Sequence, residues 1–418
     1  MPTILAYGSP ALGHLLPISA LLGELAERGN DVHLRTLAAG VATGERRGVR
    51  SEPVDPRIEA IVSEDWTARS SFGVLEMTID TLCRRAVLEV DDLQRAIAEV
   101  DPDVLVVDAN CWGAMSVADA GGLPWSVFSP FTPFLRSRGL PPVGPGMRPW
   151  PGVPGRIRDH GVRSVVSRVM DRPMLPRINA LRAAVGAPLI DSVDGFLRRA
   201  PLMLVVGGEP FEYPHPDWGD QVHLIGACTD DTDVEVPDWL AAIDEPVVLV
   251  TTSSVRQADA QLGRTALEAL AEEPVRVIAT FPAGVPPDLV VPPNAIVHQY
   301  LPHEAVLGRA ACAVTHGGMG ATVRALNRGV PVCVVPFGRD QREVATRVEV
   351  AGCGTRLPSG RLTRRRLRAK IRQAMTMTDG AREVAAGFAA TGGVARGADL
   401  IEQQLACGRK VDLDEGVR

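Results

Sequence analysis

The amino-acid sequence predicts an α/β protein built from two doubly wound parallel sheets. Apolar runs of four to seven residues, typical of buried strands, alternate with longer segments whose apolar residues recur at helical spacing. A connector rich in Pro, Asp and Gly, residues 207–245, interrupts this alternation once, and the alternation then begins again. Strand–helix–strand units form parallel sheets covered by helices on both faces, so we expect two such domains within the 418 residues.

The first half opens with a strand at 3–7, followed by a helix at 17–28 that Gly29 ends. Residues 131–155 are dense in Pro and Gly, and a loop of that length in a compact domain is usually functional. The remaining elements predicted in this half are strands at 31–37, 104–107, 125–129 and 202–206, and helices at 83–100, 115–120 and 162–185.

The second half repeats the pattern. The elements predicted there are strands at 247–251, 275–280, 295–298, 312–315 and 332–335, and helices at 262–271, 304–309, 321–328 and 343–351. We therefore divide the chain into an N-terminal domain (1–210), a linker (211–245) with a short strand-like stretch, a C-terminal domain (246–391) and a C-terminal helix (392–418). That helix has nothing left to pack on in its own half, and we expect it to return to the first domain.

Composition excludes several classes of partner. The net charge is −6, from 44 Lys and Arg against 50 Asp and Glu, and 4% of residues are aromatic, so we expect no nucleic-acid partner. No apolar run is long enough for a membrane helix, and the N-terminus does not resemble a signal peptide. The seven cysteines are scattered, as in reduced cytoplasmic proteins. We expect a cytoplasmic monomer or homodimer.

A glycine-rich turn follows the predicted strand at 312–315. It reads His316-Gly317-Gly318-Met319-Gly320, and a helix follows it. The glycines allow close approach of a ligand, and the free N–H groups of a helix N-terminus attract anions such as phosphate. The turn is neither a Rossmann fingerprint nor a P-loop. Taken alone, it could be an ordinary glycine turn with a loop histidine.

Asp340 and Gln341 follow the next predicted strand. The ends of parallel strands lie side by side, so this pair borders the same crevice as the glycine turn. A carboxylate and an amide can together bind the vicinal hydroxyl groups of a sugar. Asp340 also suits the N-cap of the helix that follows, and both roles stay open.

A histidine and a carboxylate follow two strands of the first half. His14 lies in the loop GSPALGHLLP before a helix, and Asp108 ends the strand in DVLVVD. Side by side, they would form a general base oriented by a buried carboxylate. A lone histidine at this position could instead serve only as a helix cap or a surface polar group.

The segment 297–341, VHQYLPHEAVLGRAACAVTHGGMGATVRALNRGVPVCVVPFGRDQ, resembles the donor-binding signature of inverting, NDP-sugar-dependent glycosyltransferases. That family has the GT-B fold, in which two Rossmann-like domains face each other across a cleft. The motifs Gly13-His14…Pro17 and Pro102-Asp103…Asp108 match the family's base and its partner. The resemblance covers the whole chain in length and layout.

The resemblance implies a role for each matching position. His316, with Gly317, Gly318, Met319, Gly320 and Ala321, would face the diphosphate, and Ser253 and Ser254 would lie beside the phosphates. Asp340 and Gln341 would hold sugar hydroxyls, and Tyr300 and Leu301 would meet the nucleobase. The positions that depart from the family pattern are Ser253, Tyr300, His303 and Ala321.

These inferences predict a metal-independent hexosyltransferase. It would move a hexose from a UDP- or dTDP-sugar to a hydroxyl of a small apolar acceptor, a natural product or lipid-like molecule, with His14 as base. Trp66, Phe131 and Trp150 are candidates for the acceptor site, whereas Trp112 and Trp125 suit the core. A nucleotide-sugar epimerase and a non-catalytic sugar-nucleotide-binding protein are the alternatives, because fold alone does not choose among them.

Overall fold

A computed structural model describes residues 1–64, 67–68, 71–229, 236–254 and 259–415, with side chains throughout except at 71–72 and 407–415. It contains a seven-stranded and a six-stranded sheet, and all strand pairs within them are parallel. Helices cover the faces of both sheets. The predicted α/β class with two doubly wound domains is therefore confirmed.

The first sheet has the strand order β3-β2-β1-β4-β5-β6-β7. Its strands are β1 (Thr3–Tyr7), β2 (Asp31–Thr36), β3 (Arg50–Pro53), β4 (Val104–Asp108), β5 (Trp125–Ser129), β6 (Met203–Val205) and β7 (Val222–Leu224). Its helices are α1 (Leu12–Glu27), α2 (Val41–Glu45), α3 (Pro56–Ala60), α4 (Ser71–Val100), α5 (Trp112–Ala120), α6 (Gly152–Ala184) and α7 (Val193–Leu197).

The second sheet has the order β10-β9-β8-β11-β12-β13. Its strands are β8 (Val247–Thr251), β9 (Arg276–Thr280), β10 (Ala295–His298), β11 (Ala310–Thr315), β12 (Val332–Val334) and β13 (Gly354–Arg356). The helices of this half are α8 (Asp238–Ala241), α9 (Ala260–Leu270), α10 (His303–Leu307), α11 (Met319–Asn327), α12 (Gln341–Val350), α13 (Arg364–Ala374), α14 (Thr378–Ala390) and α15 (Gly393–Glu415).

Several elements differ from the sequence predictions. The edge strands β3 and β13 were missed because their sequences, RSEP and GTR, contain no apolar run. Helix α1 begins at Leu12, so His14 lies in a first helical turn and not in a loop. Helix α6 begins at Gly152, ten residues before its predicted start. Pro154 is compatible with this start because it lies in the first helical turn, where a backbone N–H has no partner within the helix. Within the predicted linker, β7 joins the first sheet as its edge strand.

Strand order places the functional segments next to one another. Strand β1 pairs with β4, with Tyr7 opposite Val107, so the turn into α1 lies beside the end of β4. In the second sheet, Thr315 of β11 pairs with Thr251 of β8 and with Val334 of β12. The turns after β8, β11 and β12 therefore meet at one edge of the sheet, where ligands bind in open parallel sheets.

The C-terminal helix α15 packs on α1 of the first domain. The Arg28 guanidinium donates hydrogen bonds to Asp399 Oδ1 at 2.7 Å and to Glu402 Oε2 at 3.0 Å. Asn30 Nδ2 donates a further hydrogen bond to Glu402 Oε1 at 3.0 Å. One apolar cluster runs continuously from the first sheet through α15 and α14 to the second sheet, and it includes Phe211 and Phe388, whose rings lie 5.9 Å apart.

A buried ionic network also joins the domains. Arg347 of α12 donates through Nε to Glu212 Oε1 at 2.9 Å and through a terminal nitrogen to Glu343 Oε2 at 2.7 Å. Burial raises the pKa of Glu212, but the charge of Arg347 and the hydrogen bonds of His215 and Arg347 to the carboxylate outweigh burial and lower that pKa to about 2. Glu212 therefore remains charged within the interior, where the Arg347 guanidinium compensates it.

The network also fixes the Pro/Gly-rich loop. Glu343 Oε1 accepts hydrogen bonds from the backbone N–H groups of Gly144 at 2.8 Å and Gly146 at 2.6 Å. Thr132 donates from Oγ1 to Glu212 Oε2 at 2.6 Å. A loop that belongs to the first domain is thereby attached to the first turn of α12 in the second.

Among the helices in the described parts of the chain, none combines the length and the apolar composition that crossing a bilayer requires.

Replacing Arg347 by Met should destabilise the protein strongly. The substitution leaves Glu212 and Glu343 buried without their cation, and breaking a buried pair in this way costs about 3–5 kcal/mol of unfolding free energy. Urea denaturation followed by circular dichroism measures the loss. The control is Arg372→Met, which removes an exposed guanidinium from Glu273 while Arg368 stays beside that carboxylate, and it should change the midpoint little. Equal midpoints for the two variants would contradict the importance assigned to the network.

Candidate active site

His14 and Asp108 form a close pair at the carboxyl edge of the first sheet. His14 Nδ1 lies 2.8 Å from Asp108 Oδ2, although 94 residues separate them in sequence. Asp108 is fully buried, and its Oδ1 accepts a hydrogen bond from the backbone N–H of Asn110 at 2.9 Å. With Nδ1 facing the carboxylate, the other ring nitrogen, Nε2, lies 3.4 Å from the Asn110 side-chain amide, its one hydrogen-bonding neighbour among the described residues.

The electrostatic surroundings of His14 involve both domains. Burial lowers its pKa, but the charge of Asp108 and the hydrogen bond to it raise that pKa, as does the charge of Asp340, so the net pKa lies above the ordinary 6.5. Arg85 acts in the opposite direction. Asp340 belongs to the second domain, so its charge acts on His14 across the boundary between the two domains.

His316 lies at the junction of β11 and α11 in the second domain. Gly317 has φ +94°, and a side chain there would place its Cβ 2.8 Å from Val334 Cγ1, so the turn requires glycine. A Cβ at Gly318, the N-cap of α11, would lie 2.6 Å from His316 Nε2, so the ring packs against the start of that helix. Burial, together with the positive charge of Arg339, lowers the pKa of His316 to about 4, and the ring is therefore neutral at pH 7.

Asp259 is a site residue that sequence analysis missed. Its Oδ2 accepts a hydrogen bond from the backbone N–H of Ser253 at 2.6 Å and lies 3.6 Å from Nδ1 of His316. Both side chains are buried. The carboxylate thus fixes the turn after β8 and faces the histidine after β11. The sequence signal that could have revealed Asp259 is its position immediately before α9, the helix that follows β8.

Asp340 and Gln341 lie side by side at the start of α12. Asp340 occupies the N-cap position but makes no capping hydrogen bond with its side chain, so the capping alternative does not describe this residue. Gln341 Oε1 accepts hydrogen bonds from the backbone N–H groups of Phe337 at 2.7 Å and Gly338 at 3.0 Å. The side-chain oxygen of Gln341 therefore organises the turn that presents Asp340.

The remaining donor candidates differ in exposure. Ser253 is buried and Ser254 exposed, while Gly320 and Tyr300 are exposed, the latter to 74%. Leu301 and Ala321 are half-buried. The Met319 side chain packs in the core between the domains, so a ligand at this turn would meet its backbone only. His303, a departure from the family pattern, has Nε2 3.0 Å from Thr280 Oγ1.

Phe131 is the acceptor candidate that the structure brings to the base. Its ring centroid lies 5.8 Å from that of His14, in an edge-on arrangement. Trp150 is 52% exposed. The guanidinium carbon of Arg158 lies over the Trp150 ring, 5.4 Å from the ring centroid. The contacts described for Trp150 do not include His14. Trp66 lies outside the described residues. Trp112 and Trp125 are buried in the core of the first domain.

Across the residues that the structure describes, no group of three or more His, Cys, Asp or Glu side chains has the arrangement of a metal site. Metal-independent chemistry stays a prediction.

Taken together, the two facing sheets and the residues at their carboxyl edges define a glycosyltransferase of GT-B architecture. Residues 264–395 match the family model described as erythromycin biosynthesis protein CIII-like, C-terminal domain. The 4'-demethylrebeccamycin synthase of Lentzea aerocolonigenes is 31% identical over 384 residues, which cover 88% of this chain and 90% of the relative.

Solved structures of glycosyltransferases share the fold of this chain. The kitacinnamycin glycotransferase superposes with a TM-score of 0.73 and 26% identity, covering 97% of this chain and 100% of that one. Glycosyltransferase VinC in complex with dTDP has a TM-score of 0.69 at 19% identity, covering 97% and 99% of the two chains. The chain belongs to the GT-B family of natural-product glycosyltransferases, which confirms the predicted enzyme class over the two alternatives.

Replacing Asp108 by Asn should lower the pKa of His14 below 6.5, because burial then acts with little opposition. Titrating the eight histidines by NMR, with assignment by a His14 variant, measures the shift. Asn110→Ala is the control, since it removes a neutral neighbour of Nε2 and should leave the titration near that of the wild type. A His14 pKa that stays above 6.5 in the Asp108→Asn variant would show that another group sets it.

Proposed function

We propose that this enzyme transfers a hexose from a dTDP- or UDP-sugar to a hydroxyl group of a small apolar acceptor, a natural product or lipid-like molecule, with inversion at the anomeric carbon. The observation that carries the proposal is the His14–Asp108 pair, on which the charge of Asp340 acts from the second domain. The dTDP bound to the structural neighbour VinC supports this donor class, and the relative's name supports a natural-product acceptor.

In the proposed reaction, His14 is the general base. Its Nε2 accepts the proton of the acceptor hydroxyl as that oxygen attacks the anomeric carbon from the face opposite the diphosphate. Asp108, 2.8 Å from Nδ1, holds the ring in the tautomer that leaves Nε2 unprotonated and stabilises the imidazolium that forms. Attack from that face through an oxocarbenium-like transition state inverts the configuration.

The second domain would hold the donor. The start of α11 directs unpaired N–H groups toward the leaving diphosphate, and neutral His316 adds one hydrogen-bond donor. Asp340 would accept hydrogen bonds from the sugar hydroxyls, in a position held by the Gln341 turn. Tyr300 and Leu301, which follow β10, would cover the nucleobase. This arrangement needs no metal cofactor in our proposal.

Phe131, next to His14, would form an apolar wall of the acceptor site. Trp150 and the Pro/Gly-rich loop would extend that site. We also place the enzyme in the cytoplasm, which is supported by six free, buried cysteines in the described parts of the chain.

Replacing His14 by Ala should lower kcat roughly 10²–10⁴-fold, the usual contribution of a positioned general base. Transfer from dTDP- and UDP-glucose to a panel of phenolic and alcohol acceptors, followed by mass spectrometry, measures the loss, and NMR of the product reports its anomeric configuration. The control is His33→Ala, because His33 also lies near a carboxylate, Asp31, but on β2 away from the cleft. Nearly undiminished transfer by His14→Ala, or retained configuration, would overturn the mechanism.

The pH dependence should follow the raised pKa of His14. A base acts in its unprotonated form, so kcat/KM should fall as the pH drops through that pKa, with a midpoint above 6.5. In the Asp108→Asn variant this acid limb should move to lower pH while the plateau rate falls. An acid limb that does not move between the two proteins would assign the titration to a different group.

A further inference from the structure

Arg339 has an unusual backbone conformation beside the donor site. Its φ is +51°, in the left-handed region, and within the described ranges Asp101 is the one other non-glycine residue with positive φ. Such a conformation is strained for a residue that carries a side chain, and it persists only where the surrounding structure imposes it.

Local hydrogen bonds impose this conformation. Gln341 Oε1 accepts from the N–H groups of both Phe337 and Gly338, and the Gln341 N–H donates to Gly338 O at 3.2 Å. Arg339 therefore stands at the apex of a closed turn, directly before Asp340. The turn follows β12, whose neighbour β11 ends at His316. An arginine is thus held at the edge of the second sheet where the donor would bind.

The charge of Arg339 acts on groups along this part of the cleft. Burial raises the pKa of Asp259 and of Asp340, and Arg339 opposes that rise in both. On the first domain, burial lowers the pKa of Arg85, and repulsion by Arg339 is among the further causes. These effects agree with the place of Arg339 in the chain, which is after β12 and directly before Asp340, at the carboxyl edge of the second sheet.

The turn from His316 to Ala321, which the structure describes throughout, contains no side chain with a full positive charge. The turn from His316 to Ala321 offers backbone N–H groups, partial helix charge and a neutral imidazole. A nucleoside diphosphate carries at least two negative charges. An arginine fork can meet such oxygen atoms with two parallel, charge-assisted hydrogen bonds, which are about twice as strong as neutral ones.

We propose that Arg339 binds the anionic oxygen atoms of the donor and so determines which donors bind. This inference rests on the proposed function. The anionic oxygens could belong to the diphosphate or to an acid group on the sugar, and the two sources make different predictions below. The competing role, a counter-ion for Asp259 and Asp340 alone, involves no contact with the donor.

The decisive variants are Arg339→Gly and Arg339→Lys. Glycine adopts φ +51° without strain, so Arg339→Gly removes the charge and introduces no backbone strain. Isothermal titration calorimetry with dTDP and UDP should then give a Kd raised roughly 10- to 100-fold, the loss expected for hydrogen bonds to a charged group. Thymidine, which has no phosphate, should bind within about 2-fold of wild type. Arg339→Lys should recover part of the affinity because it keeps the charge.

Asp101→Gly is the matched control. Asp101 has φ +49° but precedes β4, at the end of the sheet opposite the cleft. This variant relieves the same kind of strain and should leave every Kd unchanged. A change in affinity for Arg339→Gly alone therefore reports the guanidinium and not the backbone.

A further comparison separates the two sources of anionic oxygen. Equal loss of affinity for dTDP, UDP-glucose and UDP-glucuronate assigns Arg339 to the diphosphate, whereas loss for UDP-glucuronate alone assigns it to a sugar carboxylate. Unchanged affinity for all three in Arg339→Gly overturns the inference, even though the wild type transfers sugar. If the wild type itself binds no nucleoside diphosphate, the proposed function fails instead.

Discussion

The buried ion pairs of Arg347 with Glu212 and Glu343 are the interaction on which the arrangement of the cleft depends. Glu212 lies between β6 and β7 of the first sheet, and Glu343 and Arg347 lie in α12, which begins beside Asp340. Charges in a protein interior are tolerated only with partners at close range. The requirement to keep them paired therefore restricts how the domains sit, and it anchors the loop at Gly144 and Gly146 as well.

The two histidines of the cleft show how a nearby charge decides the state of a buried imidazole. Burial disfavours the charged form of both. His14 has a carboxylate 2.8 Å from Nδ1, and its pKa rises. His316 has a carboxylate at 3.6 Å, beyond hydrogen-bond distance, and the cation Arg339 nearby, and its pKa falls to about 4. One ring is suited to take up a proton, and the other stays neutral beside the proposed phosphate site.

The proposed reaction uses this asymmetry. A proton moves toward the first domain, onto a ring that a carboxylate stabilises, while negative charge develops on the leaving group at the second domain. The partial charges of α11 and the full charge of Arg339 lie on that second side. The transition state carries positive charge at the first domain and negative charge at the second. Fixed groups of opposite charge at each domain stabilise this separation more effectively than water does, because they are already in place.

Much of the fold and part of the site follow from local sequence. Alternating strand and helix patterns indicate two parallel sheets, and glycine, histidine and carboxylate residues at strand ends mark the positions of the site. The edge strands β3 and β13 escape this reasoning because they are too short and polar to give a periodic signal. Asp259 and Arg339 escape it because their importance lies in neighbours that belong to other strands.

By itself, the sequence determined which segments become strands and helices and which chemical groups stand at their ends, because both depend on residues close together in the chain. Only the tertiary structure decided which groups meet. The contact of His14 with Asp108 spans 94 residues, and that of Arg347 with Glu212 spans 135. Such pairs depend on the order of strands within a sheet and on the packing of one domain against the other, and periodicity along the chain carries information about neither.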